Sequence, residues 1–268
     1  MNLLALVLAG GEGTRLHPLT QQHAKPALPF AAGRRIVDFV LSNLVNSEIG
    51  RICVLAQYKP ESLMEHIESA WRGRFAAQGV SIEVILPQVA PDGFQYKGTA
   101  DAVYRNLGLV RRYSPDLVAV FAADHVYRMD VRQMVRFHRQ KGAEATIAAV
   151  PVPLQVAPSF GILDMERDDR VLAFAEKPQR PVVIRHNPGH AYASMGNYLF
   201  EPRTLTTVLE QGALCGGTDF GRDLLHVIGL RLPVEHQAQS QGREHQVDLP
   251  EIQQHPGIVL ASAGIEEE

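Results

Sequence analysis

Three glycines, an arginine and a lysine lie close together near the start of the chain, in Gly10-Gly11-Glu12-Gly13-Thr14-Arg15 and then Lys25-Pro26-Ala27. They follow directly on the apolar run Leu3 to Leu8. A buried strand ending in glycines lets bare backbone N–H groups approach a polyphosphate, and Arg15 and Lys25 bring the positive charge that a triphosphate and its leaving group require. Two commoner glycine motifs do not fit. A dinucleotide fingerprint needs a third glycine where Leu16 stands, and a Walker loop needs Gly-Lys-Ser/Thr where the chain has Gly13-Thr14-Arg15.

Further along, Asp124 closes the apolar run Leu117 to Ala122. A carboxylate at such a strand tip is a natural ligand for Mg²⁺, which takes oxygen donors and bridges protein carboxylate to phosphate. Imidazole suits Mg²⁺ poorly, and alternation along a strand points His125 away from Asp124. Gln88 ends another short run with an amide that both donates and accepts, the group needed to read a nucleobase edge. Gly98 permits close approach of a base or ribose, and the Thr99 hydroxyl is placed to cap a helix whose N-terminal N–H groups face a ligand. Glu176-Lys177-Pro178 ends a later strand, with an ammonium for a monophosphate and a carboxylate for sugar hydroxyls.

These residues need a frame. Leu3 to Leu8, Arg51 to Ala56, Val80 to Leu86, Leu117 to Ala122 and Ala145 to Val150 are short aliphatic runs of the kind buried on both faces of a sheet. Helix-period segments lie between them, about Ile36 to Glu48, Glu61 to Ala77, Thr99 to Arg111 and Val131 to Lys141. The alternation predicts an α/β fold with a doubly wound, mainly parallel, Rossmann-like sheet, whose ligands bind beyond the carboxyl ends of the strands. After Val150, prolines interrupt the pattern. Phe160 to Met165, Val171 to Glu176 and Tyr192 to Phe200 then read as strands of a small second lobe, with helices at Leu205 to Gln211 and Asp219 to Leu230.

The 268 residues are 46% hydrophobic and 21% charged, enough for one large core, and the net charge of −3 argues against a general nucleic-acid binder. Cys53 in an apolar run and Cys215 in a glycine-rich turn do not suggest a disulfide framework, which makes the cytoplasm the default compartment. No segment approaches the roughly 20 apolar residues needed to cross a bilayer, so no membrane partner is expected.

The motifs also resemble, in order and at compatible spacing, those of the sugar-1-phosphate nucleotidylyltransferases. The resemblance rests on Gly10, Gly11, Gly13, Thr14, Arg15, Leu16 and Lys25-Pro26-Ala27, on Ile36 to Asn43, and on Tyr96-Lys97-Gly98-Thr99-Ala100-Asp101-Ala102. It continues through Asp124-His125-Val126-Tyr127, Glu176-Lys177-Pro178 and Ala193-Ser194-Met195-Gly196-Asn197-Tyr198. It runs from about residue 2 to about residue 229 and is strongest to the adenylyl branch. It implies transfer of AMP from ATP to α-D-glucose 1-phosphate, giving ADP-glucose for glycogen synthesis and pyrophosphate, with Mg²⁺ held by Asp124. By the same resemblance, Arg15, Lys25 and Asp124 are catalytic, and Gly10, Gly11, Gly13, Thr14, Gln88, Gly98 and Thr99 hold the nucleotide. Tyr96, Gly161, Glu176, Lys177 and Ser194 form the sugar-phosphate pocket, and a homo-oligomer is compatible with it.

The resemblance divides the chain into a catalytic unit over 1–232, with its nucleotide half about 1–150 and its sugar lobe about 151–232, and a divergent segment over 233–268. That segment carries seven acidic residues against the single Arg243, a composition suited to a poorly ordered tail. Members of the family generally carry a further aspartate motif, a second metal ligand, beyond the segment matching Asp219 to Asp223, and bacterial adenylyl members continue into a β-helix. Neither is found here, as expected of a truncated or frame-shifted gene. Three readings therefore stand open: an active adenylyl-transferring enzyme, a catalytically impaired nucleotide-binding or regulatory homologue, and a nucleotidyltransferase using another NTP.

Overall fold

The computed structural model describes residues 2–31, 33–87, 95–224 and 258–262. Its first strand, β1 (Leu3–Ala9), is buried along nearly its whole length, as a seven-residue aliphatic run must be when both faces of a sheet are covered. Parallel to it run β2 (Arg51–Ala56) and then β3 (Ser81–Ile85) on one side, and β4 (Leu117–Ala122) on the other. The chain thus leaves β1 in one direction and returns to its opposite flank. The resulting crevice between β1 and β4 is where a doubly wound sheet binds its ligand.

Helices cover both faces. On one side pack α1 (Ile36–Asn46), α2 (Glu61–Ala70) and α5 (Val131–Lys141); in α1, Val37, Val40, Leu41 and Leu44 recur at helical spacing and are all buried. α5 is fixed at both ends, by the Asp130 carboxylate accepting from the Arg132 N–H at 3.0 Å and by Gly142 in the left-handed region. On the other side pack α3 (Thr99–Arg105), α4 (Leu107–Tyr113) and α6 (Pro202–Leu214). The single helix expected over Thr99 to Arg111 is broken at Asn106, whose side-chain amide bonds back to the Ala102 carbonyl at 2.8 Å.

The loop between β1 and α1 rests on a buried polar cluster. The Asp38 carboxyl accepts from His66 Nε2 and Trp71 Nε1, both at 2.6 Å, and from the Arg35 N–H at 2.8 Å, tying α1 to α2 beneath the Lys25–Ala27 turn.

The second lobe is antiparallel. β6 (Gly161–Met165) and β7 (Val171–Glu176) form a hairpin, and β8 (His190–Phe200) bridges the two parts by pairing with β6 and also inserting between β4 and β5 (Ala145–Pro153). Strand order β3-β2-β1-β4-β8-β5 keeps the doubly wound parallel core and adds to it an antiparallel strand from the second lobe, which alternation did not indicate. Periodicity marks a strand but says nothing of its neighbours. The helix expected over Asp219 to Leu230 is a single wide turn at Phe220–Leu224 within the described residues. Inside the segment read as a tail, Ile258–Ser262 forms β9, parallel to β5 at the sheet edge. Its four-residue apolar run, Ile258 to Ala261, was masked by the acidic and glutamine-rich composition around it.

Candidate active site

Parallel register sets Leu8 beside Ala122, so the glycine loop that follows β1 and the loop that follows β4 emerge together at the switch point. A cavity of about 740 Å³ opens there. Gly10, Gly11, Gly13, Thr14, Arg15, Lys25, Asp124, Tyr96, Gly98 and Thr99 line it from the parallel half, and Gly161, Glu176 and Ser194 line it from the antiparallel lobe. Of the remaining residues expected at the site, Lys177 is not part of the wall and Gln88 lies outside the described residues.

Gly13 is the constrained glycine of the loop. Its φ is +63°, and a Cβ there would stand 2.9 Å from Lys25 Cβ and 3.0 Å from Thr20 Cγ2. Any side chain would strain the backbone and displace the lysine stem. Thr20 fastens the loop from below, its hydroxyl donating to the Gly13 carbonyl at 2.9 Å.

Lys25 Nζ reaches Asp124 Oδ2 at 3.1 Å, while more than half of the aspartate side chain (56%) stays open to solvent. Arg15 also lines the cavity, is exposed, and makes no ion pair among the described residues. One positive group is thus pre-set against a carboxylate and the other is available to an anion.

His125 does not point away. Its Nδ1 lies 3.2 Å from Asp124 Oδ1, and since a carboxylate only accepts, Nδ1 is the donor. β4 ends at Ala122, so strand alternation no longer governs these two residues. The His125 bond, ahead of the Lys25 charge, holds the Asp124 carboxyl well below the usual carboxylate range, against a burial effect in the other direction.

The corner suits a hard divalent cation. Asp124 offers carboxylate oxygen to the cavity, and Mg²⁺ is commonly held by one or two carboxylates with phosphate and water in its other positions. Among the described residues no three His, Cys, Asp or Glu side chains gather into an all-protein cage.

At α3 the structure differs from expectation. The N–H groups of Ala100 and Asp101, in the first turn of the helix, donate to the Thr218 carbonyl at 2.8 and 3.2 Å instead of facing a ligand. The Thr99 hydroxyl does not cap its own helix; it donates to Asp219 Oδ2 and accepts from the Phe220 N–H, both at 3.0 Å. Gly98 is required because a Cβ would strike the Thr218 carbonyl. The 218–221 segment is therefore a strap across the N-terminus of α3, and it brings Asp219, Phe220 and Gly221 to the cavity wall.

Tyr96 is held by both ends. Gln57 accepts from its backbone N–H, and the Asn106 amide donates to its hydroxyl at 3.0 Å; burial pushes the phenol up in pKa.

In the antiparallel lobe, Gly161 leaves room for Phe174 and Glu176 to reach the cavity. Lys177 turns outward in the left-handed region, its ammonium paired with the Glu176 carboxylate. This is the solvated pair that a Glu-Lys dipeptide normally forms. Ser194 accepts from the Gly196 N–H at 3.2 Å.

Among the wall residues that sequence reasoning did not assign to the site are Gln57, Tyr198, Asp219 and Phe220. Phe220 stacks on Tyr198 with ring centroids 5.6 Å apart. Position was the available signal for Gln57 and Asp219, since Gln57 follows the C-terminal end of β2 and Asp219 precedes the Phe220-Gly221 turn.

The chain matches the family model described as nucleotidyl transferase over residues 4–232. It is 47% identical over 226 residues to the glucose-1-phosphate adenylyltransferase of Thermodesulfovibrio yellowstonii, covering 84% of this chain and 54% of that protein. It is 45% identical over 231 residues to the Thermus thermophilus protein of the same name (84% and 56%), and 41% identical over 228 residues to glucose-1-phosphate adenylyltransferase 1 of Vibrio cholerae (83% and 55%). The chain spans about half the length of the curated relatives it matches.

Proposed function

The chain belongs to the nucleotidyl transferase family, and from that premise we propose that it transfers the AMP moiety of ATP to α-D-glucose 1-phosphate, giving ADP-glucose and pyrophosphate. One observation carries the reading. Arg15 and the Lys25–Asp124 pair face Glu176 and Ser194 across a single cavity, with the glycine loop beside them. The relatives' shared name supports the choice of substrates.

In this reading the triphosphate lies on the backbone of Gly10, Gly11 and Gly13, with Thr14 at the start of the following turn. Gly98 and Thr99 stand at the base and ribose end, where Gln88 is assigned to the base edge. Glu176 accepts from glucose hydroxyls, and Ser194, Gly161 and Tyr96 complete the sugar wall. Lys177 would have to release Glu176 to meet the sugar phosphate. A sugar-phosphate oxygen attacks the α-phosphorus in line, the new P–O bond forms as the bond to pyrophosphate breaks, and no protein nucleophile is required. Lys25 neutralises charge developing on the α-phosphoryl group, and Arg15 takes the departing pyrophosphate. Mg²⁺, held by Asp124, would supply further neutralisation of phosphate charge.

ADP-glucose is the glucosyl donor that makes glycogen synthesis the expected setting. Among the described residues no helix is long and apolar enough to cross a membrane. Cys53 is buried and Cys215 is exposed, both free, which supports a cytoplasmic location. Homo-oligomerisation remains part of the proposal.

The test is pyrophosphate release from each NTP in turn, with Mg²⁺ and with or without glucose 1-phosphate. Release that needs both ATP and the sugar phosphate is expected. Release with a different NTP would move the assignment to another nucleotide, and no release despite ATP binding would favour a nucleotide-binding homologue.

A further inference from the structure

His125 is the one group at the Asp124 corner that the proposed chemistry leaves without a task. Two contacts and one unpartnered atom define its position. Its ring stacks on Tyr127, with centroids 4.5 Å apart and planes 20° from parallel. Its Nδ1 donates to Asp124 Oδ1 at 3.2 Å. Its Nε2 is buried and, among the described residues, has no hydrogen-bond partner.

The stacked partner is itself immobilised. Asn43 Nδ2 donates to the Tyr127 carbonyl at 3.0 Å and Asn43 Oδ1 accepts from the Met129 N–H at 3.1 Å, so the loop after β4 is tied to α1 just beyond the ring. The Tyr127 ring packs against the core on that face.

We infer that His125 is a positioning residue, which fixes the rotation of the Asp124 carboxylate so that one oxygen is held by imidazole and the other meets Lys25. A carboxylate on a single Cβ turns readily about its last torsion, which has only broad minima. Donors on both oxygens, His125 Nδ1 on Oδ1 and Lys25 Nζ on Oδ2, stop that rotation and aim the remaining lone pairs at the cavity. The inference deepens the proposed function, on which it rests, by naming what orients the cation-holding carboxylate. Outer-shell donors of this kind typically change metal affinity 10- to 100-fold when removed.

Two variants separate donor from ring. His125→Phe keeps the stack on Tyr127, loses the donor, and removes a buried nitrogen that lacks a partner, so the fold should be retained. His125→Asn loses the stack but places an amide N–H close to the position of Nδ1. Mn²⁺ binding in the presence of ATP, followed by electron paramagnetic resonance on the full chain, should weaken about 10- to 100-fold in His125→Phe and recover to within a few-fold of the parent in His125→Asn. Turnover should follow the same order, with KM for glucose 1-phosphate unchanged.

Parent-like Mn²⁺ affinity in His125→Phe would overturn the inference, as would equal losses in both variants with unchanged melting temperature, or a parent chain that binds no Mn²⁺ with ATP. Failure of the parent to release pyrophosphate from any NTP would instead sink the proposed function, while the Mn²⁺ comparison would still decide the role of His125.

Discussion

The two halves of the cavity wall are built on different principles. The parallel half presents the groups proposed to bind phosphate on loops that its sheet fixes: β1 and β4 are register neighbours, so the glycine loop and the loop carrying Asp124 emerge side by side. The antiparallel lobe presents Glu176 and Ser194 from β7 and β8, and their place depends on the β6–β7 hairpin and its pairing with β8. Phosphate recognition needs backbone N–H groups and charge, which a short motif can encode. Sugar recognition needs hydroxyl-reading groups gathered from distant strands.

That contrast can be broken or sharpened by mutation. The largest effects should come from the parallel half: Arg15→Ala or Asp124→Ala should lower kcat about 100- to 1,000-fold, the loss typical of a group that stabilises developing charge, in a pyrophosphate-release assay. Near-normal turnover in either would remove these residues from the chemistry. In the antiparallel lobe, Glu176→Ala should raise KM for glucose 1-phosphate about tenfold while leaving KM for ATP near its parent value, because one lost hydrogen-bonding group there affects one substrate. Lys177→Ala should change it less. The reverse order would mean that Lys177 swings inward when substrate binds.

Within the parallel half, stability should follow burial. Asp38→Ala removes the acceptor of two buried donors beneath the Lys25–Ala27 turn and should cost about 3 kcal/mol in chemical denaturation. The smallest effect belongs to the surface cap of α5, where Asp130→Ala should cost about 1 kcal/mol. Arg132 holds the Asp130 carboxyl below its ordinary value of 3.8 in the folded chain. Its contribution is therefore complete above that value and is lost as pH falls below it. A cost that persisted in strong acid would show that the carboxylate charge is not what matters.

The same contrast describes how much the sequence revealed. β2, β4, β7 and α5 have the bounds expected from apolar runs and helical period, because burial on two faces or one face imposes those patterns directly. The gathering of the glycine loop, Arg15, Lys25 and Asp124 at one rim was legible for a similar reason, since each lies just beyond the carboxyl end of a readable strand. Strand order was not. Nothing in residues 190–200 says that they insert between β4 and β5, because pairing partners are chosen by the whole sheet. Gly98 and Thr99 were picked out as positions, but the group pressing on them is the Thr218 carbonyl and strap, more than a hundred residues away. Asp219 went unrecognised for the same reason.

The central claim is that the cavity brings an adenylyl donor and a sugar phosphate together for transfer. The most direct measurement incubates the chain with ATP labelled at its α-phosphate, glucose 1-phosphate and Mg²⁺, and resolves the labelled products. The account predicts label in ADP-glucose, formed about 100- to 1,000-fold more slowly in Arg15→Ala and Asp124→Ala. Label that stays in ATP while the protein demonstrably binds both substrates would contradict it.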